Sequence, residues 1–161
     1  MHDEFITIPL GNNKFTIVDA EDEYLTRWKW HACCDGRYVC RNKPNPAGGF
    51  AGSIRMHRQI LDAPDGVEVD HADRDGLNNR RSNLRLASRS QNMANIGKPK
   101  TNTSGFRGVS WKKATQRWAA SIKVRQQPKA LGYFDTPEEA ARAYDQAAKE
   151  AWGEFAYQNF P

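Results

Sequence analysis

The feature that most constrains the fold of this chain is its succession of short runs in which apolar and polar residues alternate, each closed by turn-forming residues. The runs FITIPL and KFTIV flank the turn signal GNN and predict a hairpin. WKWHACC and RYVCR flank DG and predict two more strands. Between these pairs, Asp19 opens an acidic segment that predicts a short helix. We therefore expect residues 1–53 to form a small β-rich region.

The middle of the chain, residues 54–96, predicts the order helix, strand, loop, strand, helix. IRMHRQIL can form one or two helical turns that end before Pro64, because a residue that precedes proline disfavours the helical conformation. VEVDH and NLRL are short strand patterns, and an irregular loop over residues 72–82 separates them. The last helix is expected to start with a capping box at Ser88 and Gln91 and to end at Gly97.

The last third of the chain predicts a second domain. Residues 97–104, GKPKTNTS, contain no apolar residue and are expected to form a linker. FRGVSW, RWAASIKV and KALGYF predict three strands. A helix should follow from Thr136, because a capping threonine, a proline and two acids stand in the order that helix starts favour. We expect an α+β protein in which residues 105–161 form a three-stranded antiparallel sheet packed on one helix.

Charge is distributed unevenly along the chain. The net charge is +5, yet residues 1–54 hold six Lys and Arg against seven Asp and Glu, whereas Gly76 to Phe134 hold thirteen Lys and Arg and no acid. The absence of carboxylates over this stretch maintains a continuous positive potential, which attracts phosphates. The alternative reading is a basic surface that is merely solvated.

Membrane insertion and a disulfide or zinc framework are not expected. No run approaches the roughly 18 apolar residues that a transmembrane helix needs, and the first residues lack the pattern of a signal peptide. Cys33, Cys34 and Cys40 are odd in number and form no CxxC pair, so we expect free thiols in a reducing compartment. The expected location is intracellular, in the cytoplasm.

The residues best suited to chemistry are Asp70 and His71 on VEVDH, Asn83 before NLRL, and Asn92 on the following helix. A carboxylate and an amide oxygen suit Mg²⁺ or Mn²⁺ better than Zn²⁺. Adjacent strand residues point to opposite faces, so the His71 side chain is expected to point away from the Asp70 carboxylate. His71 is then available to act as a general base. Asn83 could orient His71 through its ring or its backbone. This set suits metal-assisted phosphodiester hydrolysis.

The runs HRQIL and VDHADRDGLNNRRSNLRLASRSQNMAN resemble the HNH endonucleases, in particular the phage and intron-encoded homing type with Asn at the third motif position. The resemblance covers about residues 54–96. It implies a ββα-metal fold in which Asp70 and Asn92 hold one divalent ion, His71 activates water and Asn83 orients His71. Better-known members carry a second His where this chain has Asn92. Further contacts to DNA are predicted within this stretch at His57, Arg58, Arg80, Arg81 and Arg85. For His57 a structural role is the alternative.

Residues 104–161 resemble the AP2 domain through SGFRGVSW, RWAASI, LGYFDTPEEAARAYDQAA and NFP. The resemblance implies a sheet that lies in the DNA major groove. Ser110 and Ala130 stand where the plant domains usually have Arg and Trp, so we expect this module to supply affinity more than sequence discrimination. Alternation along the strands should place one of Trp111 and Trp118 in the core and expose the other. The residues predicted to contact DNA are Arg107, Gly108, Trp111, Lys112, Arg117, Lys123 and Tyr144.

These patterns together predict a site-directed endonuclease of homing or phage type that nicks double-stranded DNA as a monomer. Its expected cofactor is Mg²⁺ or Mn²⁺, and no membrane or obligate protein partner is expected. One alternative is a DNA-binding regulator that has kept the nuclease scaffold and lost cleavage, but the complete set of candidate site residues argues against it. A second is a basic RNA-binding module, which would explain the charge and leave the spacing of the metal-site residues unexplained.

Overall fold

The computed structural model describes residues 4–161 and has a mixed α+β architecture of small sheets and few helices. The chain divides into two compact units, Met1–Ser88 and Arg89–Pro161. Within the described residues, no helix combines the length and apolar character needed to cross a membrane.

The first unit consists of short strands and one short α-helix. The predicted hairpin is confirmed, and its turn passes through three successive residues with positive φ, Gly11 to Asn13. The helix predicted from Asp19 is a 3-10 helix. In chain order the elements are β1 Phe5–Gly11, β2 Lys14–Asp19, a 3-10 helix Ala20–Arg27, β3 His31–Cys33, β4 Tyr38–Asn42, β5 Ser53–Arg55, α1 Met56–Ile60, β6 Glu68–His71, a 3-10 helix Arg81–Asn83 and β7 Leu84–Ala87.

One hydrophobic cluster joins the two segments that the sequence predicts as separate regions, residues 1–53 and 54–96. Buried side chains from the first segment pack with buried side chains from α1, β6 and β7. The cluster contains Ile8, Leu10, Val18, Leu25, Trp30 and Val39 from the first segment, and Met56, Ile60, Val69 and Leu84 from the second. The N-terminal β-rich region is therefore part of the same core as the strands that carry the candidate site.

Strand β2 also fixes the loop that follows β6. The Ile17 amide donates to the Leu77 carbonyl at 3.2 Å, and the Asn79 amide donates to the Ile17 carbonyl at 2.9 Å. These two bonds form an isolated parallel bridge between Ile17 and Asn78. The loop after His71 is thereby held against a strand that comes from the other end of the unit.

The expectation of three free thiols is wrong, because Cys33 and Cys40 form a disulfide. Antiparallel pairing of β3 and β4 places their Cα atoms 6.0 Å apart, within the usual range for a disulfide. Cys34 is exposed and free. A spacing of seven residues without a CxxC pair gave no sign of this pairing, which depends on where the two strands turn.

The second unit contains a three-stranded antiparallel sheet and a long helix, as predicted. The sheet consists of β8 Val109–Lys112, β9 Arg117–Val124 and β10 Gln127–Phe134 in the order β10-β9-β8. Helix α3, Pro137–Trp152, packs on this sheet through Ala140 and Ala141, which are fully buried. The predicted capping box of α3 is confirmed between Thr136 and Glu139. In chain order the elements are α2 Arg89–Asn95, β8 Val109–Lys112, β9 Arg117–Val124, β10 Gln127–Phe134, α3 Pro137–Trp152 and a 3-10 helix Gly153–Phe155.

Helix α2 belongs to the second unit, whereas the sequence places it in the nuclease core and places the boundary at residues 97–104. Three bonds within the second unit explain the difference. The Arg107 guanidinium donates to the Ala94 carbonyl at 2.6 Å, and the Tyr157 amide donates to the same carbonyl at 3.1 Å. The Trp152 indole N–H donates to the Ser90 hydroxyl at 3.2 Å. None of these long-range contacts leaves a periodic signal in the sequence.

Candidate active site and nucleic-acid interface

Asp70 lies on β6 directly opposite Arg85 on β7, so the two side chains share one face of this two-stranded sheet. The Asp70 residue is only 5% exposed. Arg85 donates from Nε to Asp70 Oδ2 at 2.8 Å, and its Nη2 lies 2.7 Å from the same oxygen. Arg85, which the sequence predicts as a DNA contact, is therefore the ion-pair partner of the predicted metal ligand.

His71 follows Asp70 on β6 and is also 5% exposed. Burial lowers the pKa of its imidazole, and this effect is larger than the raising effects of a hydrogen bond to Asn79 and of nearby carboxylates, Asp73 first among them. A lowered pKa keeps the ring uncharged at neutral pH. An uncharged imidazole can accept a proton, so the structure gives His71 the protonation state that a general base requires.

Asn79 is the residue that sequence reasoning missed. It is completely buried, and its side-chain oxygen lies 3.4 Å from His71 Nε2. Its amide nitrogen donates to the Thr16 hydroxyl at 2.8 Å, and that hydroxyl donates to the Leu77 carbonyl at 2.7 Å. The buried threonine on a strand of otherwise apolar inward positions was the available signal.

This chain of bonds favours one position for the proton on the His71 ring. Thr16 has one hydroxyl hydrogen, which goes to Leu77, so Thr16 accepts from the Asn79 amide nitrogen. The Asn79 oxygen is therefore the atom directed at His71. A carbonyl oxygen only accepts, so this arrangement favours a proton on Nε2 and a basic lone pair on Nδ1.

Asn83 orders the loop after His71. Its side-chain oxygen accepts from the Asp73 amide at 3.0 Å, and its amide nitrogen donates to the Asn78 carbonyl at 2.7 Å. Its own carbonyl accepts from the Ala72 amide at 2.9 Å. Of the two routes left open by the sequence, these bonds favour orientation of His71 through the backbone.

His57 lies beside His71 rather than on the surface. It is 3% exposed, and its ring meets those of His71 and Tyr38 edge to face, with centroids 5.1 and 5.4 Å apart. Burial, together with the proximity of His71, lowers the pKa of His57 to about 3. Within the described residues its Nδ1 has no hydrogen-bond partner. This burial favours the alternative of a structural role, and a contact of His57 with phosphate stays a prediction.

Arg58 binds backbone oxygens. Its guanidinium donates to the carbonyls of Ala63 at 3.0 Å and Pro64 at 2.8 Å, and also to that of Val67. These bonds hold the turn between α1 and β6. The proposed contact of Arg58 with DNA would require it to leave them.

Arg80 and Arg81 form ion pairs with the N-terminal segment. Arg81 binds Asp22 through two nitrogens, at 2.8 and 2.9 Å, and lies 2.7 Å from Glu21. Arg80 pairs with Asp19 at 3.3 Å. The three carboxylates lie within 4.8 Å of one another, a grouping that could hold a metal, but the two guanidinium groups offset most of their negative charge. The structure thus uses these arginines to join two parts of the first unit.

The sheet of the second unit has an outer face that α3 does not cover. Val109 and Ala120 are paired and buried towards the helix, so the alternate positions face away from it. The outer positions are mostly small or basic. They are Ser110, Lys112, Arg117, Ala119, Ser121, Lys123, Pro128, Ala130 and Tyr133.

Two of the predicted DNA contacts, Lys112 and Lys123, are exposed on this outer face. Arg117 is also exposed there but pairs with Asp135 at 2.9 Å. Tyr133, 52% exposed, was missed by sequence reasoning. A bulge between Ala130 and Gly132 shifts the alternation along β10, which turns Tyr133 outwards.

Trp111 and Trp118 lie on the same face of the sheet, because they are directly opposite in the register of β8 and β9. Their rings meet at a centroid distance of 5.2 Å. Trp118 packs against the core, and Trp111 is 42% exposed. This agrees with the expectation of one tryptophan in the core and one exposed. The exposed ring nevertheless belongs to the helix-facing side, so this register does not support a DNA contact by Trp111 on the outer face.

Arg107, Gly108 and Tyr144 have structural roles in the second unit. The Arg107 guanidinium donates to carbonyls at the end of α2, those of Met93, Ala94 and Ile96. Gly108 has a φ of 78°, and a Cβ there would lie 2.0 Å from the Tyr144 ring. Tyr144 is 3% exposed, which corrects the expectation that its side chain contacts DNA.

Comparison with known proteins matches two parts of the chain to families. A family model described as HNH endonuclease matches residues 62–94. Over 162 residues the chain is 30% identical to "Uncharacterized HNH endonuclease L560" of Acanthamoeba polyphaga mimivirus, an alignment that covers 96% of this chain and 80% of the relative. The chain belongs to the HNH endonuclease family. The nuclease is also 35% identical over 112 residues to "Protein 3.8" of Escherichia phage T7, covering 66% of the nuclease and 92% of that protein.

The C-terminal part of the nuclease is an AP2 domain. The family model described as AP2 domain matches residues 104–154. Over 60 residues the nuclease is 50% identical to "Ethylene-responsive transcription factor ERF084" of Arabidopsis thaliana, which covers 36% of the nuclease and 23% of the plant protein. The HNH and AP2 matches together support a nuclease that binds DNA. No solved structure matches it.

The donor chemistry beside His71 fits a hard divalent cation. Asp70 supplies a buried carboxylate, the type of oxygen ligand that Mg²⁺ and Mn²⁺ prefer. Asn92, the predicted second ligand, lies on α2 in the second unit, and its role as a ligand stays a prediction. The ββα-metal arrangement likewise stays a prediction, since β6, β7 and α2 occur in that order but fall in two units.

Proposed function

We propose that this nuclease hydrolyses phosphodiester bonds of double-stranded DNA with one divalent ion, Mg²⁺ or Mn²⁺, and with His71 as general base. The observation that carries the proposal is the pair of neighbours on β6: a buried carboxylate and an imidazole whose pKa is lowered by burial. Asp70 and Asn92 are the residues proposed to hold the ion. When bound, the ion would neutralise charge on the scissile phosphate.

His71 accepts the proton of the attacking water at Nδ1. Its Nε2–H is directed at Asn79, so the base is presented in one tautomer and one orientation. Asn83 keeps the following loop ordered through bonds to Asp73 and Asn78. General-base catalysis of this kind contributes about 10²–10⁴-fold in rate.

The AP2 domain supplies duplex affinity through the outer face of its sheet. Lys112 and Lys123 provide exposed positive charge there, and small neighbours such as Ala119 and Ser121 leave the face open to a phosphate backbone. Ser110 and Ala130 on this face are short where plant AP2 domains usually have Arg and Trp, which favours backbone binding over base readout.

A single set of catalytic residues in each chain favours nicking by a monomer, because cutting both strands needs a second site or a reorientation. We also propose a homing or phage role, because the candidate site residues follow the homing-type HNH pattern and because two of the relatives are viral proteins.

The experiment is incubation of supercoiled plasmid with the full chain and with Asp70→Ala, in Mg²⁺, Mn²⁺ or EDTA, scored on native and denaturing gels. We expect nicked circles with either metal, none in EDTA, and none with Asp70→Ala. Cleavage in EDTA equal to that in Mg²⁺ would contradict the metal requirement. Tight duplex binding without cleavage of any substrate would favour the DNA-binding regulator instead.

A further inference from the structure

Arg85 is the charged residue beside the proposed metal ligand that the mechanism above does not use. Two of its nitrogens lie 2.7 and 2.8 Å from one oxygen of Asp70, and its side chain is only 18% exposed. A buried carboxylate without a partner is strongly destabilising, so this pair offsets the burial of Asp70 in the metal-free protein.

The same geometry conflicts with binding of a cation. A divalent ion takes carboxylate oxygens at about 2.0–2.6 Å, and the guanidinium already donates two hydrogens to Oδ2 of the ligand. Two positive groups on one carboxylate also repel each other, more strongly where water is excluded. Arginine does not lose its charge at any ordinary pH, so it can yield only by moving.

We infer that Arg85 is an internal counter-ion that competes with the divalent cation for Asp70, an inference that rests on the proposed role of Asp70 as a metal ligand. In the metal-free protein the ion pair stabilises the β6–β7 sheet. Entry of the metal displaces the guanidinium from Oδ2, and the cost of breaking the pair lowers the affinity for metal. The Arg85–Asp70 pair therefore lowers the affinity of the nuclease for metal but keeps the protein folded when no metal is bound.

The test is Mn²⁺ binding to the DNA-free full chain, measured by titration calorimetry, for the wild type, Arg85→Leu, Arg85→Lys and Asp70→Ala. Removal of the competing charge should lower the Mn²⁺ Kd of Arg85→Leu by about tenfold or more, equivalent to about 1.4 kcal/mol. Arg85→Lys keeps the charge but loses the two-nitrogen fork, and its Kd should fall less. By linkage, Mn²⁺ should raise the Tm of Arg85→Leu more than that of the wild type.

Circular dichroism establishes which variants are folded, and Arg85→Lys carries the test if Arg85→Leu is not. Wild-type or weaker Mn²⁺ binding by the folded Arg85 variants, with binding lost in Asp70→Ala, overturns the inference and leaves the proposed metal ligand in place. Equal binding by the wild type and Asp70→Ala, or binding by neither, overturns both the inference and the proposed metal site.

Discussion

At the scale of single residues, the site depends on side chains that act through one another. His71 is oriented by Asn79, Asn79 by Thr16, and Thr16 by the Leu77 carbonyl. Each group in this series is buried or half-buried, so each bond is made in surroundings where an unmade hydrogen bond is costly. Such a series specifies a tautomer as well as a position.

Replacement of Asn79 by alanine tests this orientation. We expect the ring of His71 to lose its preference for the Nε2-protonated tautomer and cleavage to slow by about tenfold or more, since a misoriented base in a comparable triad costs far more than that. The measurements are the ¹⁵N chemical shifts of the His71 ring and the single-turnover rate. Thr16→Val keeps the shape and removes only the hydroxyl, so it should give a smaller change in both. An unaltered tautomer in Asn79→Ala would show that Asn79 does not orient His71.

The residues of the candidate site were partly predictable from sequence. Asp70 and His71 are adjacent on a strand pattern, and the structure places them together on β6 as expected. The partners of Asp70 and His71, namely Arg85 and Asn79, depend on strand register and on a bridge to β2, which are set by tertiary contacts. Local pattern cannot distinguish an arginine that binds DNA from one that neutralises a buried carboxylate.

At the scale of elements, local signals predicted the strands and helices well, whereas the compact unit that a helix joins depends on distant contacts. The turn through Gly11 to Asn13 and the capping box at Thr136 each depend on a few neighbouring residues, and both are confirmed. The assignment of α2 depends instead on Arg107, which lies beyond the predicted linker in the chain. The bulge in β10 is a further case, because one extra residue reverses the face of Tyr133.

Removal of the Arg107 side chain tests the attachment of α2. Arg107→Ala leaves the carbonyls at the end of the helix without their charged donor, and we expect a loss of about 1–3 kcal/mol in the free energy of unfolding. Urea unfolding in the absence of DNA measures it, and hydrogen exchange of the α2 amides should quicken. Arg107→Lys is the control that retains charge but lacks the fork. Wild-type stability with weakened DNA binding would instead identify Arg107 as a DNA contact.

At the scale of the whole molecule, one chain joins the proposed hydrolytic site to a basic domain. Binding of DNA by the AP2 domain raises the effective concentration of substrate for the nuclease site in the same chain. The stretch from Gly76 to Phe134, which contains no acid, gives this arrangement its positive potential. Several of its arginines are nevertheless paired within the fold, so the lysines of the outer sheet face carry the proposed contact with phosphate.

The lysines can be tested by the salt dependence of duplex binding. Lys123→Gln should lower affinity and reduce the slope of log K against log salt by about 0.9, the value for one phosphate contact. Lys149→Gln, an exposed position on α3, removes the same charge away from the outer face and should leave the slope nearly unchanged. Equal reductions in the two variants would mean that net charge alone, rather than this face, controls affinity.

The most direct test of the nuclease mechanism is the cleavage rate of His71→Ala, measured with saturating protein, so that all the DNA is bound, in Mg²⁺. The account predicts duplex affinity close to that of the wild type and cleavage slower by about 10²–10⁴-fold, the usual contribution of a general base. Cleavage at the wild-type rate by the fully bound variant would contradict the assignment of His71 as the base.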